Sequence, residues 1–132
     1  MNFNKFVDLS YVLLQDLNDD TASRHWTFLL RKNRIVSIGR NRAYHSHPIC
    51  KRLGYRFETL HSEADCILKV YRDIPNMGPL KMINVRLSTQ SLERKQPVLR
   101  MSKPCIGCMK LLSGLPQIKK VYYSTDHGFE QL

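Results

Sequence analysis

The stretch LHSEADCILKVYRD, residues 60–73, decides how the chain is organised. Ser62 can cap a helix, and Ala64, Ile67, Leu68 and Tyr71 recur at helical spacing. The run IPNMGP, residues 74–79, stops that helix. Upstream, WTFLLRKNRIVSIG, residues 26–39, reads as two β-rich runs, Trp26 to Leu30 and Ile35 to Ile38, around a polar turn from Arg31 to Arg34. Downstream, KMINVRLS, residues 81–88, reads as a buried strand and VLRMS, residues 98–102, as another, joined by the turn TQSLERKQP. CIGCMKLLSGL, residues 105–115, reads as a short helix stopped by Gly114 and Pro116, and KKVYYS, residues 119–124, as a last strand. The eight residues after Ser124 receive no element. With an amphipathic helix over Phe6 to Leu17, the order is α-ββ-α-ββ-α-β. Such an order implies a mixed sheet with helices packed on it.

No repeat, low-complexity tract or linker divides the 132 residues, so residues 1–132 are expected to form one domain. No apolar run reaches the length of a membrane span, and MNFNKFVDLS does not read as a signal peptide. A cytoplasmic protein without membrane partners is the expectation. Its four cysteines are then thiols or metal ligands rather than a disulfide framework.

The net charge of +10 is unevenly placed. Between Asp20 and Glu58 there is no acid, while Arg24, Arg31, Lys32, Arg34, Arg40, Arg42, Lys51, Arg52 and Arg56 give that interval +9. A one-signed stretch of this kind attracts phosphate, although a solvated face would show the same composition.

Two short patterns carry chemistry. MSKPCIGCMK, residues 101–110, holds Pro104-Cys105-x-x-Cys108, and the central helix opens with His61-Ser62-Glu63. By itself a C-x-x-C leaves a redox pair, half of a zinc site or chance open. A catalytic zinc takes three protein ligands and leaves a fourth position for water, and His61, Cys105 and Cys108 supply three. Both groups fall at the first turn of a helix, where the positive helix ends favour thiolates. A purely structural site would need a fourth ligand, for which Cys50 and Cys66 are candidates. Cys66 lies five residues along the helix from His61, roughly across the turn, and reads better as a buried thiol.

Read together, the patterns are H-x-E … P-C-x-x-C, and the chain resembles the zinc-dependent cytidine and deoxycytidylate deaminase superfamily. The element order fits along most of the chain. The resemblance implies a single-domain α/β fold of cytidine-deaminase type, a mixed five-stranded sheet with helices on its faces. It implies one Zn²⁺ per chain on His61, Cys105 and Cys108. Glu63 is then not a ligand but the group that shuttles protons. Gly39-Arg40-Asn41 matches a Gly-x-Asn of the superfamily whose Asn hydrogen-bonds the substrate sugar, although a turn asparagine would look alike. Ala64 and Lys103, beside Glu63 and the Pro-Cys, are further expected substrate contacts. Arg40 and Arg42 flank Asn41 and are placed to hold a phosphate, with His45, His47 and Lys51 behind them.

The expected reaction is hydrolytic deamination of cytosine to uracil in a free nucleotide, deoxycytidylate first. The alternatives are cytosine in single-stranded DNA or RNA and a non-catalytic nucleic-acid-binding module stabilised by zinc. Adenosine in tRNA is disfavoured, because Lys103 stands where such relatives carry Glu. A homo-oligomer is implied. Two departures stand out: Cys105 lies 44 positions after His61, with TQSLERKQP filling the excess, and no further strand and helix are read after VYYS.

Overall fold

The computed structural model describes residues 2–15, 25–45, 48, 52, 59–87 and 98–132. Helix α1 (Asn4–Gln15) comes first. Strands β1 (His25–Arg31) and β2 (Arg34–Arg40) follow as an antiparallel hairpin. The turn between them is two residues, Lys32 and Asn33, both at positive φ (49° and 66°). That geometry matches the right-handed twist of the flanking strands. Strands β3 (Arg42–His45) and β4 (Thr59–Leu60) form a separate two-stranded ribbon, where the sequence reading assigns no element.

Helix α2 (Ser62–Leu68) is shorter than its apolar stripe suggests. After it the chain tightens through turns into a 3₁₀ turn, Ile74–Asn76, with Pro75 at its start. Ser62 does not cap it either. His61 is the cap residue, and Ser62 already lies in the first turn. Strands β5 (Leu80–Leu87) and β6 (Leu99–Arg100), helix α3 (Ile106–Ser113) and strand β7 (Ile118–Thr125) appear in the expected order. The residues after Ser124 are not idle: β8 (Gly128–Gln131) turns back along β7. TQSLERKQP lies outside the described residues.

The main sheet is open and mixed, with six strands where five were expected; β8 is the addition. Its order is β2-β1-β5-β7-β8, and β6 pairs with β5 beyond the point where β7 leaves it. Only β5 and β7 run parallel, which requires the crossover that carries α3.

Strand alternation gives the sheet two unlike faces. One face carries Trp26, Phe28, Leu30, Ile83, Val85 and Leu87, which pack with Phe6 and Leu14 of α1. The other carries Leu29, Leu80, Met82 and Val121, covered by Ala64, Cys66 and Ile67 of α2 and by Leu111 and Leu112 of α3. Ala64 and Cys66 are thus core residues of the second face. Gly39 is what lets α2 approach β2 so closely. A Cβ built there would fall 2.3 Å from the Ser62 carbonyl oxygen and 2.4 Å from the Cys66 nitrogen. Among the described residues, no helix is long and apolar enough to cross a membrane.

Candidate metal centre and its cavity

The caps of α2 and α3 meet on the second face. His61 and Cys105 are the cap residues, both extended (φ −71°, ψ 161° and φ −71°, ψ 170°), so each enters its helix at the same angle. Cys108 follows within the first turn of α3 and is buried. His61 Nδ1 lies 3.5 Å from Cys105 Sγ and 3.4 Å from Cys108 Sγ. All three donor atoms fall within 4.8 Å of one another. Zinc bonds of about 2.3 Å to sulfur and about 2.0–2.1 Å to nitrogen put tetrahedral nitrogen and sulfur neighbours about 3.5–3.6 Å apart. The observed spacing fits one such ion.

The chemistry of the donors fits as well. Burial, followed by the negative charge of Glu63 and the adjacent Cys105, pushes the Cys108 thiol far above its ordinary range. A divalent cation held there would reverse that, since a coordinating thiol is deprotonated outright. Cys66 differs in kind: it sits in the core, its thiol pushed up to about 12 by burial, and it is not part of the cluster. Cys50 lies outside the described residues.

Glu63 is 1 % exposed although it lines a cavity of about 700 Å³ with His61 and Cys105. Its neighbour Ser62 donates to Glu63 Oε1 at 2.9 Å. Behind them Thr27 Oγ1 lies 2.7 Å from both Ser62 Oγ and Asn84 Oδ1. Thr27 and Asn84 face each other across β1 and β5, and Ser62, Thr27 and Asn84 are all fully buried. A carboxylate is therefore held by a hydroxyl chain that the sheet itself anchors.

The same chain continues to the segment that bears the cysteines. Asn84 Nδ2 donates to the Ser102 carbonyl at 3.3 Å, and Ser102 Oγ donates to the Asn84 carbonyl at 3.0 Å. Ser102 Oγ also accepts the Ser124 N–H at 2.8 Å, while Ser124 Oγ donates to the Arg100 carbonyl at 2.7 Å and accepts the Arg86 N–H at 3.0 Å. These serines close the gap in the ladder where β7 ends its pairing with β5 and β6 begins its own. Buried backbone groups there would otherwise go unpaired.

Three rows across β1 and β5 show how the second face changes toward the cavity. Leu29 pairs with Met82, Thr27 with Asn84, and His25 with Arg86. The rows pass from apolar to neutral polar to basic. The cavity lies at the carboxyl ends of the parallel strands β5 and β7, where open α/β sheets place their ligands. His25 Nε2 is buried. Burial lowers the His25 pKa, Glu63 opposes that, and Arg86 and His61 add to it.

Of the expected substrate contacts, Asn41 and Lys103 line the cavity. Asn41 Oδ1 also accepts the Ser62 N–H at 2.8 Å, satisfying a free donor at the start of α2. Arg40 and Ala64 are not among the lining residues. Ala64 is fully buried beneath Glu63. Arg40 pairs with Trp26, on the face opposite Gly39 and α2, and its N–H donates to Asp65 Oδ2 at 3.0 Å. Arg42 opens β3; its side chain and that of His45, with His47 and Lys51, lie outside what the structure describes. The cavity adds His25, Arg86, Arg100, Ser102 and Asp126, which the sequence reading passed over. Thr27 and Asn84 did leave a signal, as polar residues at inward positions of otherwise apolar strands.

No model of a known protein family and no curated protein matches the chain. What fold and site define is a mixed α/β domain whose His61, Cys105 and Cys108 can hold one metal ion beside a buried carboxylate.

Proposed function

We propose that the chain is a zinc-dependent hydrolytic deaminase that converts cytosine to uracil in a nucleotide. One observation carries the reading: Glu63, a carboxylate that is not one of the three clustered donors, is buried against them in the wall of a shared cavity. A structural metal site has no use for it. The metal is read as zinc because one imidazole and two thiolates in tetrahedral spacing suit that ion. Zinc held by these residues would lower the pKa of a bound water to near neutrality.

The chain's residues account for the remaining steps. Glu63 takes a proton from the attacking water and delivers it to the ring nitrogen beside the amine-bearing carbon. It then carries the second proton of that water to the amine, so that the C–N bond breaks with ammonia leaving and a carbonyl remaining. Ser62, anchored through Thr27, holds the carboxylate in the wall of the cavity. Asn41 at the rim is the proposed contact for the sugar, and Lys103 for a charged substituent. A homo-oligomer belongs to the same reading.

A second reading, cytosine in a single-stranded polynucleotide, is favoured by the nine basic residues between Asp20 and Glu58. The test is a product assay by mass spectrometry on zinc-loaded protein given deoxycytidine, deoxycytidylate, the triphosphate and a cytosine-containing single-stranded oligonucleotide side by side. Deoxycytidylate conversion supports the nucleotide reading, and uracil in the oligonucleotide alone supports the second. No product from any of them, with zinc bound, overturns both.

A further inference from the structure

We infer that the cavity holds a dedicated phosphate subsite built from Arg86, Arg100 and Lys103, which selects a nucleoside monophosphate over the bare nucleoside. The choice of a nucleoside as the phosphate's carrier rests on the deaminase reading; the anion site does not. The subsite is distinct from the basic stretch between Asp20 and Glu58.

The placement comes from the register of the sheet. Arg86 of β5 faces His25 on one neighbouring strand and Arg100 on the other. Cross-strand partners share a face, so the three side chains form one row across three strands, spanning roughly 10 Å at about 4.8 Å per strand. Lys103 follows three residues after Arg100 and two before Cys105, and it lines the same cavity. At the near end of the row, His25 lines the cavity together with Glu63 and His61. The row thus begins at the reacting centre and leads away from it.

The charge balance indicates what the far end binds. Arg100 is already placed 3.8 Å from Asp126, a half-exposed pair of modest worth. The side chains of Arg86 and Lys103 have no ion pair among the described residues. Among the described residues these are two cations without an ion pair at the end of the cavity away from Glu63, and two cations match the charge of about −1.5 to −2 that a phosphate monoester carries at neutral pH. Asp126 on the same wall disfavours a string of backbone phosphates passing through, yet leaves room for one terminal dianion. The guanidinium of Arg86 supplies forked donors and Lys103 a mobile point charge, a combination suited to phosphate oxygens. The backbone under the row is fixed, because the Ser102 and Ser124 bonds pin Arg86, Arg100 and the approach to Lys103.

The test uses the zinc-loaded full chain as wild type, Arg86→Gln, Lys103→Gln and the surface control Lys119→Gln, which lies on β7 outside the cavity. Calorimetry measures deoxycytidine 5′-monophosphate, deoxycytidine and inorganic phosphate, and the product assay is run on the monophosphate and the nucleoside. In each cavity variant the preference for monophosphate over nucleoside should fall roughly tenfold to a hundredfold, as expected on losing a charged hydrogen bond. Lys119→Gln should keep the wild-type preference. Loss of monophosphate binding in the cavity variants, with no turnover even in the wild type, would sustain the anion subsite and sink the deaminase reading. Turnover of both the monophosphate and the nucleoside with an unaltered preference in both cavity variants would overturn the subsite and leave the deaminase standing. A single-stranded oligonucleotide that binds in the wild type with a steep salt dependence, and is weakened by the two changes as much as the monophosphate, would overturn the assignment to a terminal phosphate.

Discussion

The two faces of the sheet are made by the same strands, and they are built on opposite rules. Toward α1, β1 and β5 present Trp26, Phe28, Leu30, Ile83, Val85 and Leu87, interrupted only by Lys81 opposite Leu30 at the end of the pairing. Toward α2 and α3 the intervening residues grade from Leu29 and Met82 through Thr27 and Asn84 to His25 and Arg86. The first face is generic packing and serves to hold the sheet. The second is apolar only as far as needed to seat two helices, and it then turns into a hydrogen-bonded support for Glu63. Stability and chemistry are thus divided by a period of two along a single strand.

That division can be broken from either side, and the largest effect belongs to the apolar face. Phe28→Ala removes a fully buried ring packed against Phe6. It should lower unfolding free energy by about 3–5 kcal/mol in denaturant titration, while the folded fraction keeps its zinc. Gly39→Ala attacks the seam between sheet and helix. Its methyl would meet α2 backbone at 2.3–2.4 Å, so α2 must shift. A loss of about 1–3 kcal/mol is expected, together with weaker zinc retention in a chelator competition, because His61 caps that helix.

These two positions also show what was legible in the sequence. The apolar face was legible because WTFLL and MINV alternate into a buried run, and the helix over residues 60–73 because its stripe repeats at helical spacing. The cluster that can hold a metal was legible because His61, Cys105 and Cys108 are rare residues at telling positions. What period and spacing do not carry is cross-strand register. Register puts Arg86 beside His25 and Arg100, and it turns Arg40 toward the α1 face while Gly39 meets α2. Strand β8 was missed because Gly128, Phe129, Glu130 and Gln131 have no strand pattern of their own; pairing with β7 makes them one. The end of α2 at Leu68 was missed because Val70 and Tyr71 continue an apolar pattern that the turns leading to the 3₁₀ segment also satisfy by packing.

Smaller effects sharpen the contrast within the second face. Ser62→Ala removes one hydrogen bond to Glu63 and should cost about 1 kcal/mol of stability. The more telling readout is a severalfold fall in kcat with little change in KM, since Glu63 loses its anchor while the cavity keeps its shape. Thr27→Val should reproduce that pattern more weakly. Cys66 offers a pH test with a defined sign. Burial raises its thiol from an ordinary 9.0 to about 12, so the unfolded chain releases the proton first. Its contribution is complete below about pH 9 and is lost as pH rises from about 9 to about 12. The stability difference between wild type and Cys66→Ala should therefore shrink across that window, measured by denaturant unfolding at constant ionic strength.

The central claim is that Glu63 works beside the metal without holding it, and Glu63→Gln tests it most directly. Zinc content and deoxycytidylate turnover would be measured on the same preparations of wild type and variant. The account predicts one zinc per chain in both and a loss of turnover of roughly a hundredfold to ten-thousandfold in the variant. Loss of the metal, or turnover that survives the change, would contradict it.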